Sequence, residues 1–160
     1  MNLDKMILPL RPNVCMLLVN NEGKLFVAQR YKQKDVWQFP QGGVEDGLSL
    51  EDNVYKELHE ELGVEITRFN IIRKLKHSHE YEFKTPPDYA KDKWRGQAQT
   101  FWLVQFLGQN SEIKLDRFEP EFEDFKWLTV DELRKIIDPI RLPGYEGALK
   151  EFLEYTQESK

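Results

Sequence analysis

Three glutamates, Glu57, Glu60 and Glu61, stand together in the stretch GGVEDGLSLEDNVYKELHEELGV, Gly42 to Val64. Ser49 is a natural N-cap, with Asp52 three residues on, and Gly63 is a natural left-handed stop, so the stretch predicts a helix from about Leu50 to Leu62. On that helix the three glutamates span an arc of roughly 100° and converge on one spot. The apolar stripe Val54, Leu58 and Leu62 lies beside the arc, which puts the carboxylates at the edge of a core, where a cleft would form. Like charges at these spacings cost a few tenths of a kcal/mol per pair, and a divalent cation would offset them. With no cysteine nearby and only His59 inside the run, the donors are oxygens, which suit Mg²⁺ or Mn²⁺ better than Zn²⁺. The competing reading is a solvated acidic face. The preceding Gly42-Gly43 favours the first, because bare backbone before a helix lets carbonyls approach a metal and N–H groups approach phosphate.

The same residues resemble the Nudix box: Gly, five residues, Glu, seven residues, Arg-Glu, an apolar residue, any residue, Glu-Glu, any residue, Gly, apolar. Here it reads Gly42, Leu48 in place of Glu, Lys56 in place of Arg, then Glu57, Leu58, Glu60, Glu61, Gly63 and Val64. In the family the first glutamate and the arginine pair and brace the loop against the helix. Leu48 and Lys56 cannot make that pair; Glu45 or Glu51 is placed to meet Lys56 instead.

The elements that must position this stretch follow from apolar patterning. NVCMLLVN is a continuous apolar run, expected as a strand buried on both faces, and the turn NNEG leads to a second strand, KLFVAQR, as a hairpin. Trp37 to Gln41 reads as a short edge strand broken by Pro40, with Trp37 in the core. Phe69 to Lys76 and Tyr81 to Phe83 read as two strands separated by the polar HSHE, with His77 and His79 on the surface. Thr85 to Arg95, with Pro86-Pro87, reads as a mobile loop flanking a cleft. Thr100 to Leu107 is expected as a central strand, and Glu112 to Leu115 and Phe125 to Leu128 as further strands. Thr129 and Glu132 form a capping box for a helix ending before Pro139, and a last helix, about Tyr145 to Tyr155, should turn Leu149, Phe152 and Leu153 inward.

Flanking motifs narrow the resemblance. RPNV, WQFPQGG, GQAQ and PEF are similar to the Nudix branch that includes bacterial RNA pyrophosphohydrolases and plant-type diadenosine tetraphosphate hydrolases. The resemblance runs from Arg11 to Phe152. It implies an α+β fold, a Nudix-type α/β/α sandwich around a mixed sheet, and it implies roles. The family's metal ligands match the Gly42 carbonyl, Glu57, Glu60, Glu61 and Glu121, the last taken from the Pro-Glu-Phe motif; composition alone does not choose among Glu119, Glu121, Glu123 and Asp124. Arg11 and Arg30 match arginines that face substrate. Gln41 and Gly43 adjoin the loop, Tyr81 matches a pocket tyrosine, and Ser78 stands where a tryptophan often precedes it. Gln97 and Gln99 match a Gln-x-Gln near the active site. Arg141 and Tyr145 fall where the family has a lysine and a tyrosine near substrate.

At 160 residues, 40% hydrophobic, the chain is expected to be one Nudix hydrolase domain over residues 1–160. No apolar run reaches the length of a membrane span, and the N-terminal MNLDKMILPLRP lacks a basic leader region, which together read as cytoplasmic. The lone Cys15, inside an apolar run, reads as a small buried hydrophobe. A net charge of −5 argues against broad duplex binding, although Arg68 to Arg95 is locally basic and would suit a short polyanion. The expected activity is Mg²⁺-dependent cleavage, with Mn²⁺ a possible substitute, of a nucleotide or dinucleoside polyphosphate such as diadenosine tetraphosphate, or of a triphosphorylated RNA 5′ end. The general base stays open between Glu57, Glu121 and another acid. A non-catalytic nucleotide-binding module and a general nucleoside triphosphate pyrophosphatase are the rivals.

Overall fold

The alternation inside VCMLLV sets the architecture. In the computed structural model, which describes residues 8–158, β1 (Leu10–Val19) turns Cys15, Leu17 and Val19 to one face and Val14, Met16 and Leu18 to the other. Period two splits one apolar run between two cores. The first core receives Leu133 from α2 (Val130–Ile136) and Tyr145, Ala148, Leu149 and Phe152 from α3 (Leu142–Glu158). The second receives Val54, Leu58 and Leu62 from α1 (Leu50–Leu62). Each buried Val, Leu or Phe among these contributes about 1.5–3 kcal/mol. Helices therefore cover both faces of a mixed sheet, the α/β/α arrangement expected.

In the sheet β1 runs parallel to β6 (Gly96–Phe106) from Leu10 opposite Gly96 to Val19 opposite Gln105, and β5 (Phe69–Glu82) lies antiparallel beyond β6. On its other side β1 meets β2 (Leu25–Arg30) only at Val19 opposite Leu25. The expected hairpin thus splays open after one pair, and β2 instead pairs along its length with β7 (Phe122–Leu128) and with the short β3 (Trp37–Gln38). The opened edge of β1 is taken by β4 (Gln41–Gly43), with Val14 opposite Gly42. Pro40, which has no N–H to give, separates β3 from β4 while its carbonyl accepts from Met16 N at 2.9 Å. Splaying is what seats the glycine strand in the middle of the molecule.

Three local expectations change. Phe69 to Glu82 is one strand, because Glu151 of α3 accepts the N–H groups of Lys76 and His77, each at 2.7 Å, where the ladder shifts register between Lys74 and Ser78. Glu112 to Leu115 is no strand: Asn110–Glu112 is a 3₁₀ turn closed by a capping box, and Glu112 also pairs with Arg68 at 2.9 Å. Leu153 is exposed, while Leu149 and Phe152 are buried as expected. The N-terminal segment read for a leader lies largely outside the described residues. No helix among the described residues is long and apolar enough to cross a membrane.

Candidate active site

Ser49 caps α1 by accepting from Asp52 N at 3.0 Å, and Gly63 ends it at φ 68°. The loop before it is fixed by Asn53, a fully buried residue whose Oδ1 accepts from Glu45 N at 3.0 Å and whose Nδ2 donates to Ser49 O at 2.8 Å. Sequence reasoning passed over Asn53; a polar side chain adjoining the apolar stripe was its one signal.

Helix and loop together bring Glu57 and Glu61 under β4. A Cβ on Gly42 would fall onto the Glu57 carboxyl group, so the absence of a side chain there is what lets the carboxylate lie against the strand. Glu61 is 2% exposed, and neither carboxyl oxygen has a well-formed hydrogen bond, with Glu121 and the Gln41 backbone its polar neighbours. Burial, then the neighbouring Glu121 and Glu57, pushes the Glu61 carboxyl well above the usual range. Burial also raises Glu57 from 4.5 to about 7, against the opposing charge of Lys56.

Glu60 does not join them. It is partly exposed, pairs with Lys56 at 3.1 Å and lines a cleft with Glu121, so only two of the three carboxylates are buried together. Lys56 also donates to Glu45 at 2.7 Å. Glu45 thus takes the lysine that the box glutamate would have held, and Leu48, in that glutamate's place, lies exposed. Among the described residues no three acidic, histidine or cysteine side chains already form a closed metal cage. The chemistry still fits a hard divalent cation: oxygen donors only, two buried carboxylates that repel each other, and one of them unsatisfied.

The arginines flank this pair. Arg30 Nη1 donates to the buried Gln38 Oε1 at 2.9 Å, and with Tyr31 and Glu121 it lines a cleft of about 360 Å³. Arg11 sits against Gly43, where a Cβ would overlap its guanidinium. On the far side of β4 a cavity of about 450 Å³ is lined by Gln41, His79, Tyr81, Gln99, Ile140, Arg141 and Tyr145. Gln99 Nε2 donates to Gln41 Oε1 at 2.9 Å and to Asn13 Oδ1 at 3.2 Å, which fixes both glutamines. Arg141 is paired with Asp138. The Tyr145 ring is packed against Phe39, its hydroxyl buried without a partner. Gln97 is outside this cavity: it is buried and donates to Tyr89 Oη at 2.8 Å.

His77 and His79 are not free surface residues. Both rings lie where Cβ atoms on Gly147 and Gly144 would be, and His79 stacks on Tyr81 at 5.7 Å. Burial, then His77, lowers the His79 pKa. Thr85 to Arg95 is tied by turns such as Ala90 N to Pro87 O and Trp94 N to Ala90 O, and closes on β1 through Arg95 N to Pro9 O at 3.0 Å. The basic segment does not make one patch: Arg68 pairs with Glu112, Arg73 with Glu158 and Arg95 with Glu82.

The family model described as NUDIX domain matches residues 9–148. An RNA pyrophosphohydrolase of Novosphingobium aromaticivorans is 36% identical over 152 residues, covering 91% of this chain and 93% of its own. One from Rickettsia bellii is 34% identical and covers 94% of each. Among solved structures, a binary complex of the C. elegans Ap4A hydrolase superposes with a TM-score of 0.65 at 15% identity, covering 91% of this chain and 98% of that one. The E. coli dihydroneopterin triphosphate pyrophosphohydrolase gives 0.64 at 15%, covering 86% and 96%. At such identities the two structures speak for the fold.

Proposed function

The chain belongs to the NUDIX domain family and is a pyrophosphohydrolase of it, and on that premise we propose that its substrate is the 5′-triphosphate end of RNA, with Mg²⁺ as the divalent ion. The observation that carries the reading is the buried, unpartnered Glu61 carboxylate beside Glu57 under the glycine strand, with arginines on its flanks. The RNA end is favoured by the names of relatives at 33–36% identity along most of the chain.

Glu57, Glu61, Glu121 and the Gly42 carbonyl would hold the ions, with Glu60 joining once it leaves Lys56. Bound there, such ions would supply Lewis-acid polarisation of a phosphate and a lowered pKa for a water. Arg11 and Arg30 hold the phosphate oxygens and offset charge that grows on them. Gln38 keeps Arg30 aimed and Gly43 leaves Arg11 its room. A carboxylate committed to a cation is a poor base, so the water's proton would go to Glu57, Glu121 or another acid that no ion occupies. The 450 Å³ cavity, with Tyr81, Gln41, Gln99, Arg141 and Tyr145, has room for one nucleoside.

A dinucleoside polyphosphate is the second reading. It is favoured by the cleft at Arg30 and Tyr31, which offers a second recess beside Glu121, and by the net charge of −5, which suits a small ligand. Product analysis with Mg²⁺ decides, offering triphosphorylated RNA and diadenosine tetraphosphate side by side with Glu61→Gln as control. Conversion of the RNA end to monophosphate, abolished in the variant, is the expected result. ATP plus AMP with the RNA untouched would move the assignment to the dinucleotide. Binding without turnover of either would make it a binding module.

A further inference from the structure

We propose that Tyr89, on the loop between β5 and β6, is a positioning residue that aims Arg11 at the substrate phosphates; this rests on the phosphate role given to Arg11 above. The Arg11 guanidinium carbon lies 4.8 Å from the centroid of the Tyr89 ring. The guanidinium also lies against Gly43, at the place a Cβ would occupy. The guanidinium therefore touches both an aromatic ring and a bare strand. Among the described residues no carboxylate pairs with Arg11, so its charge is held in place by a ring and stays available to an anion.

Tyr89 is itself anchored. Its hydroxyl accepts from Gln97 Nε2 at 2.8 Å, and Gln97 lies directly opposite Arg11 in the parallel β1–β6 ladder. Phe83 meets the ring edge-on at 6.2 Å, and the next residue, Ala90, is fully buried. The loop closes onto β1 just before Arg11, through Arg95 N to Pro9 O. Ring, arginine and loop base are thus one mechanical unit. An unsupported arginine surrenders rotamer freedom when it grips a phosphate; one already stacked has surrendered it in advance. The buried Gln97 is accounted for too: it serves the site by holding Tyr89, outside the nucleoside cavity.

The test is a double-mutant cycle on steady-state hydrolysis. Tyr89→Ala and Tyr89→Leu, the latter keeping bulk without a π face, should each raise KM about three- to fivefold with kcat within about twofold. Tyr89→Phe keeps the ring but loses the Gln97 anchor, and should raise KM by less than Tyr89→Leu does. In an Arg11→Ala background Tyr89→Leu should add nothing further. Additive effects, or Tyr89→Leu matching the parent, overturn the proposal. If Arg11→Ala itself leaves KM unchanged, the proposal falls together with the phosphate role of Arg11; if Arg11→Ala raises KM and Tyr89→Leu does not, only the positioning role falls.

Discussion

Glu57 lets the cost of building this site be measured in the protein without its ion. Burial holds its carboxyl at about 7, against 4.5 ordinarily. A raised folded-state value means that folding favours the neutral acid. The stability it allows is complete below about pH 4.5 and is lost as the pH climbs to about 7, where the folded protein must carry a buried charge. At about 1.4 kcal/mol per pH unit the gap is worth about 3 kcal/mol. For a chain of this length that corresponds to roughly 6–12 °C in melting temperature. Glu57→Gln keeps the shape and cannot ionise. In EDTA, thermal melts should show the variant gaining on the parent by about that margin between pH 5 and pH 8. Comparing the two at each pH cancels the titrating groups that do not feel Glu57; Glu61, which does, shares in the difference. Millimolar Mg²⁺ at pH 8 should raise the parent and close part of the gap, because a cation that binds only the folded carboxylates adds its binding free energy to stability. A gap that stays constant from pH 5 to pH 8 would refute the claim that this carboxylate is held in the core at a cost.

The glycine strand offers a second test: Gly42→Ala must displace the Glu57 carboxyl, and kcat/KM should fall about a hundredfold or more, while Gly43→Ala displaces Arg11 and should act mainly on KM. Lys56→Ala breaks the contacts to Glu45 and Glu60, both partly exposed, so urea melts should shift by less than about 1 kcal/mol. Installing the family's pair with Leu48→Glu and Lys56→Arg should hold or raise activity, as stopped-time product assays would show. Gly63→Ala places a side chain at φ 68° and against the Lys114 carbonyl, a loss of about 1–3 kcal/mol or more in equilibrium unfolding.

What was legible in the sequence was local chemistry. Ser49 and Gly63 bound α1 at the residues expected, Thr129 and Glu132 form their capping box, and the apolar run of β1 is buried on both faces. Caps and period-two burial are set by neighbours within a few positions, so the chain states them directly. The box and its flanking motifs named the family for the same reason. What the tertiary structure decided were the contacts between residues far apart. Glu151 turns two expected strands into one by accepting N–H groups some seventy-five positions away. Glu60 pairs with Lys56 and stays partly exposed while Glu57 and Glu61 are buried, which the helical arc alone could not reveal. Only the folded chain lays Tyr89 over Arg11 and presses Gly144 and Gly147 against two histidines that read as surface. A sequence fixes which groups lie on one face of an element; which face meets which depends on how the sheet splays and the helices close over it.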